Sequence, residues 1–145
     1  MPPFRPRSDR HRPQTVDGAV PPSLDDIDRI ARIQLATLPQ LFGARVRDVL
    51  VRVEEFCDVE TEREMGLESP FELLGLYRGV SLDRKSVADG TPEIDMIFLY
   101  RRPILDFWCE TGEDLGHVVR HVLVHEIGHH LGLSDEDMHR IEEAD

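Results

Sequence analysis

Hydrophobic and polar positions along the chain follow two rhythms, and the changes of rhythm mark the elements. Ile27, Ile30, Ala31, Leu35 and Leu38 recur three and four residues apart, the spacing that places side chains on one face of a helix. Ser23 stands at an N-cap position, Asp25 and Asp26 follow in the first turn, and Pro39 stops the segment. A helix covering one face of a sheet is predicted over 24–38. Val49, Val51 and Val53 alternate with Leu50 and Arg52, a period of two that predicts a strand over 45–55. The charged, irregular stretch from Asp58 to Ser69 reads as a loop, and Phe71 to Arg78 as a second strand. Polar residues 81–91, with Asp89-Gly90, form a connection. Ile94, Met96, Phe98 and Tyr100 alternate with Asp95, Ile97 and Leu99 in a third strand, 94–100. Pro103 suits the first turn of a short helix over 103–110. A longer helix is predicted over 112–132 and a last short one over 135–143. Helix, three strands and three helices, with no internal repeat, predict an α+β fold: a small three- to four-stranded sheet backed by helices.

Composition sharpens this picture at the N-terminus. Residues 1–22 hold six of the ten prolines and four arginines without an apolar core, so they read as a solvated, polyproline-like basic tail and not as a secretory signal. The predicted domain is 23–145, a length that suits one modest core. No apolar run approaches the ~20 residues of a membrane span. Arg5, Arg7, Arg10 and Arg12 against Asp9 and Asp17 give the tail +2, so the chain's −12 leaves −14 for the remainder. Charge of that sign repels nucleic-acid phosphates and anionic lipid. No nucleic-acid or membrane partner is expected, and basic peptides would be tolerated. Acidity also serves solubility. Cys57 and Cys109 are far apart and in no C-x-x-C pair, which predicts reduced thiols in or near the core of a cytoplasmic, monomeric protein.

The chemistry lies in the long helix. His125-Glu126-Ile127-Gly128-His129-His130-Leu131-Gly132-Leu133-Ser134-Asp135 reads H-E-x-x-H-x-x-G-x-x-D. Residues four apart on a helix sit about 40° apart around the axis, so His125 and His129 can offer two imidazole nitrogens to one Zn2+ ion. Glu126, about 100° from His125, can reach a water on that ion as general base without being a ligand. Gly132 falls where the helix would end in a left-handed residue, turning the chain so that Asp135 returns as a third ligand. Glu136 and Asp137 are alternatives, because Ser134 and the three acids also read as the N-cap and first turn of the last helix. Two imidazoles and one carboxylate leave a tetrahedral position open, as in a catalytic zinc site. Val119, Leu123, Ile127 and Leu131 form a four-spaced apolar row about half a turn from the histidines, directing them into a cleft.

The segment His125 to Glu136 resembles the C-terminal motif of the small bacterial zincin-like metallopeptidase family. Leu74-Gly75-Leu76-Tyr77-Arg78-Gly79 and Ile97-Phe98-Leu99-Tyr100-Arg101-Arg102-Pro103-Ile104 extend the likeness over roughly 23–140. The spacing is also similar to that of metzincins, but Asp135 replaces their third histidine. Met138 comes only three residues later, inside a predicted helix, in place of a separate Met-turn. The family resemblance implies zinc held by His125, His129 and Asp135 with Glu126 catalytic.

Other residues have plainer readings. His117 and His121 continue the histidine row as a solvated face, with a second metal or proton relay as the sharper alternative. His130 reads as packed or capped, and Trp108 as core. Tyr77, Tyr100, Arg78 and Arg101 are candidates to hold an oxyanion. By analogy with proteases of this kind, strand 94–100 would border the cleft and accept a peptide by strand addition. The expected function is zinc-dependent hydrolysis of a peptide or protein substrate. The alternatives are a zinc-dependent endoribonuclease and a non-catalytic zinc-binding interaction module.

Overall fold

The computed structural model describes residues 20–38, 42, 49–81 and 93–143. The predicted tail up to residue 19, the start of the predicted strand at 45–48 and the connection from 82 onward lie outside the described residues. Helix α1 spans Leu24–Leu35. Ser23 Oγ accepts the Asp26 N–H at 3.0 Å, and the Asp26 carboxylate accepts the Ser23 N–H at 2.8 Å. This reciprocal capping box starts the helix at the predicted residue. The helix ends three residues earlier than predicted, and Leu38 is buried in the turn that follows.

Three strands form one mixed sheet among the described residues, in the order β1-β3-β2. β1 (Leu50–Glu54) runs parallel to β3 (Glu93–Tyr100), and β2 (Gly75–Ser81) runs antiparallel to it. Among the described residues the sheet buries one face. Ile97 and Leu99 are fully buried, while Leu50 is half exposed on the other face, the alternation expected when helices cover a single side. α1 packs on β1 and on helix α4 (Leu115–His130), and α4 packs on β2 and β3. Ile27, Ala31, Ile97, Leu99, Val119, Leu123 and Ile127 meet there in one core. The family of elements is α+β, as predicted.

Several boundaries differ from the sequence expectation. The segment expected to be a loop from Asp58 contains helix α2, Val59–Met65, capped by Asp58, whose carboxylate accepts the Thr61 N–H at 2.7 Å. It lacks an apolar stripe because only Thr61 is buried. The second strand begins at Gly75, since Pro70–Glu72 form a 3₁₀ turn in which proline fits the first position. Helix α3, Arg101–Thr111, follows β3 without a loop, and Gly112 ends it in a left-handed conformation. The long helix therefore starts at Leu115, behind its own cap Asp114. Cys57 is buried, but Cys109 is exposed on α3, contrary to the core or near-core placement expected for both thiols. Trp108 is half-buried against the core. No described helix is long and apolar enough to cross a membrane.

The terminal helix α5 spans Asp135–Glu143, as predicted, and docks through Met138, which is completely buried. Its thioether occupies the space a Cβ on Gly128 would need, so glycine lets α5 approach the middle of α4. Met138→Ala should cost about 2–5 kcal/mol, as for other buried large-to-alanine changes, measured by urea denaturation of the metal-free protein.

Candidate metal centre

On α4 the apolar row points inward: Val119, Leu123 and Ile127 are buried and Leu131 is half-buried. Burying that face turns His117, His121, His125 and His129 outward together. The His121 and His125 rings lie 4.2 Å apart, and those of His125 and His129 are 5.9 Å apart and nearly perpendicular. The two motif histidines thus occupy adjacent turns on one solvent-facing side, as the spacing predicted.

α4 ends as anticipated. Gly132 has φ +78°, a left-handed conformation that strains any residue with a Cβ. The Leu133 N–H donates to the Gly128 carbonyl at 2.8 Å and the Gly132 N–H to the His129 carbonyl at 3.1 Å, a complete Schellman reversal. Ser134 then caps α5, its Oγ accepting the Asp137 N–H at 3.1 Å. Asp137 is held below the usual carboxylate range by Ser134 and Arg140, so it serves the first turn of its own helix. Asp135 and Glu136 are exposed.

α5 also brings in a residue that the motif does not contain. Glu142 lies one turn beyond Met138 and reaches the histidine row. Its carboxylate oxygens lie 2.5 Å from His121 Nδ1 and 3.1 Å from His125 Nε2. Among the described residues, His121, His125 and Glu142 offer donor atoms that all lie within 4.8 Å of one another. His129 and Asp135 are not part of that group. Nothing in the local sequence signals Glu142, since its partners lie 17 and 21 residues away.

An open cleft of about 310 Å³ faces the histidines. His121, His125, Glu126 and His129 form one side, and Leu74, Gly75, Phe107 and Val122 supply an apolar wall. Burial pushes the Glu126 carboxyl above its ordinary value, while His129 and the Tyr77 backbone N–H partly offset this. The Tyr77 contact follows from the sheet register. The Tyr100 N–H donates to the Leu74 carbonyl, so in the antiparallel ladder Leu76 and Arg78 pair with β3 while Gly75, Tyr77 and Gly79 present their backbone groups to the open edge. Among the described residues, the free edge beside the cleft is therefore β2. β3 is paired on both sides, so it cannot accept a peptide strand. The expectation for 94–100 is corrected on that ground.

The four candidate oxyanion residues are engaged elsewhere. The Tyr77 phenol is raised by burial and by its hydrogen bond to Asp95, and its ring stacks on His130 at 3.9 Å. Tyr100 is buried. Arg78 pairs with Glu64, and Arg101 with Glu55 and the Pro22 carbonyl. None of them lines the cleft.

Two imidazoles a turn apart, a half-buried glutamate beside them and an open cleft in front fit a zinc ion by the chemistry of the donor set. A family model described as zincin-like metallopeptidase matches residues 46–144. The chain belongs to the zincin-like metallopeptidase family. The match spans β1 to α5 and includes every residue considered above as donor or base. Membership implies zinc binding and metal-dependent hydrolysis in general. No curated protein matches the chain.

The raised Glu126 carboxyl makes the folded state bind a proton more tightly than the unfolded chain. Its stabilising effect is complete below the ordinary carboxylate range and is lost as pH rises through the folded value. Metal-free Glu126→Gln should therefore be more stable than the parent at pH 7. Urea denaturation at pH 7 and pH 4 should show that gap closing at the lower pH.

Proposed function

We propose that this protein is a zinc-dependent peptidase in which His125, His129 and Asp135 hold the metal and Glu126 is the general base. The observation that carries this reading is the position of Glu126, half-buried at the cleft between the histidine row and the edge of β2 that is unpaired among the described residues. Zinc, when bound, would acidify a water molecule and polarise a carbonyl group.

The chain's own groups do the rest. An extended substrate lies along the β2 edge, where the Gly75 and Gly79 backbone groups and the Tyr77 carbonyl pair with its main chain. Leu74, Phe107 and Val122 accept a side chain and exclude water from that wall. The Glu126 carboxylate takes a proton from the attacking water and returns it to the leaving nitrogen. A carboxyl raised by burial suits both steps, because its proton affinity moves toward neutral pH. The Tyr77 N–H orients that carboxylate. Asp135 is proposed as third ligand because the Gly132 reversal starts α5 at that residue and leaves its carboxylate exposed. Asp137, by contrast, is occupied in its own helix cap.

Digestion of a peptide library should yield products that disappear when the metal is chelated. Glu126→Gln should retain zinc and lose at least about 100-fold in rate, the lower end of what a positioned base contributes. A variant that hydrolyses at the parent rate would remove Glu126 from the reaction. Asp135→Ala should lower the metal-dependent hydrolysis rate measured on the peptide library, while Glu136→Ala should leave it unchanged.

A further inference from the structure

We propose that His121, His125 and Glu142 form a second divalent-cation site, which shares His125 with the motif pair and so cannot be filled together with the catalytic one. The second clause rests on the proposed function; the existence of the site does not.

The donor set is assembled without the motif. Two imidazoles come from adjacent turns of α4 and a carboxylate from α5, with all three donor atoms within 4.8 Å of one another. Ligands bound at about 2.0–2.2 Å around a tetrahedral ion stand roughly 3.3 Å apart. The observed 2.5 Å and 3.1 Å separations of the carboxylate oxygens from His121 and His125 need shifts of under about 1 Å to accept an ion. Two nitrogens and one oxygen suit zinc and its spectroscopic substitute cobalt, and leave a position for solvent.

The third donor is held in place by packing. Met138 is locked beneath Gly128, and Glu142, one turn further along the same rigid helix, is only 14% exposed at its side chain. The donor and acceptor roles in both contacts depend on the histidine tautomers. A divalent cation would bind these same three atoms through deprotonated ring nitrogens and the carboxylate. A neutral imidazole has one lone pair to give. His125 can therefore serve His121 and Glu142, or His129 and Asp135, but not both at once. The histidine row is in this sense a track with two stops, and an ion at the inner stop silences the outer one.

Chelator-treated full-length protein titrated with Co2+, read by its visible absorption, tests this directly. His129→Asn, which disables the motif pair, should still bind one Co2+. Adding Glu142→Gln should weaken that binding by more than the ~10–100-fold that outer-sphere partners are worth. His121→Gln, at a half-exposed position, should do the same in parallel, with thermal melts confirming that each variant is folded. Equilibrium dialysis of the parent protein should give one ion per chain at saturation. Equal Co2+ affinity in His129→Asn with and without the second change would overturn the site. Two ions per parent chain would overturn the sharing of His125. Neither readout involves hydrolysis, so failure of the catalytic reading, seen as an active Glu126→Gln, stays distinguishable.

Discussion

The packing of one face of α4 onto the sheet and α1 sets everything else in this molecule. Val119, Leu123 and Ile127 are buried against a core that includes Ile97, Leu99 and Ile27, and a helix is too stiff for its other face to turn independently. Burying the apolar row thus dictates that the histidines share the opposite side and look into the cleft. It also presses Glu126 toward β2, where burial raises its carboxyl and the outward-facing Tyr77 N–H meets it. The chemistry at the cleft is a consequence of how the helix is seated.

A second close approach determines what surrounds the histidines. The Schellman turn at Gly132 reverses the chain, and the bare Gly128 admits the Met138 side chain. Together they lay α5 across α4 with Glu142 over His121 and His125. The same turn leaves Asp135 exposed at the start of α5. Glu142 is thereby available to the row of imidazoles, and in the proposed zinc site Asp135 would approach the same row with His125 between the two. That arrangement gives the proposed second cation site its regulatory sense.

The sheet explains the direction from which substrate would come. β3 occupies the centre and spends its backbone groups on both neighbours, so the strand nearest in sequence to the motif helix is closed to further pairing. Among the described residues, β2 carries the open edge beside the cleft. Its register, fixed by the Tyr100-to-Leu74 hydrogen bond, decides which backbone groups face outward.

What the sequence determined by itself was local. Helical spacing identified α1, the motif helix and α5, period two identified the central strand, and Ser23, Gly132 and Ser134 marked turns and caps, because each signal is carried by residues within a few positions of one another. The same locality made the His125–Glu126–His129 constellation legible. α2 escaped because a helix with a single buried residue shows no apolar stripe, and the β2 boundary shifted because Pro70 opens a 3₁₀ turn that periodicity does not register. Strand order, the open edge at β2, the Tyr77–Glu126 contact and the arrival of Glu142 were decided by tertiary structure alone. Each of them joins residues from separate elements, and their meeting depends on how far a glycine or a buried row lets two surfaces close.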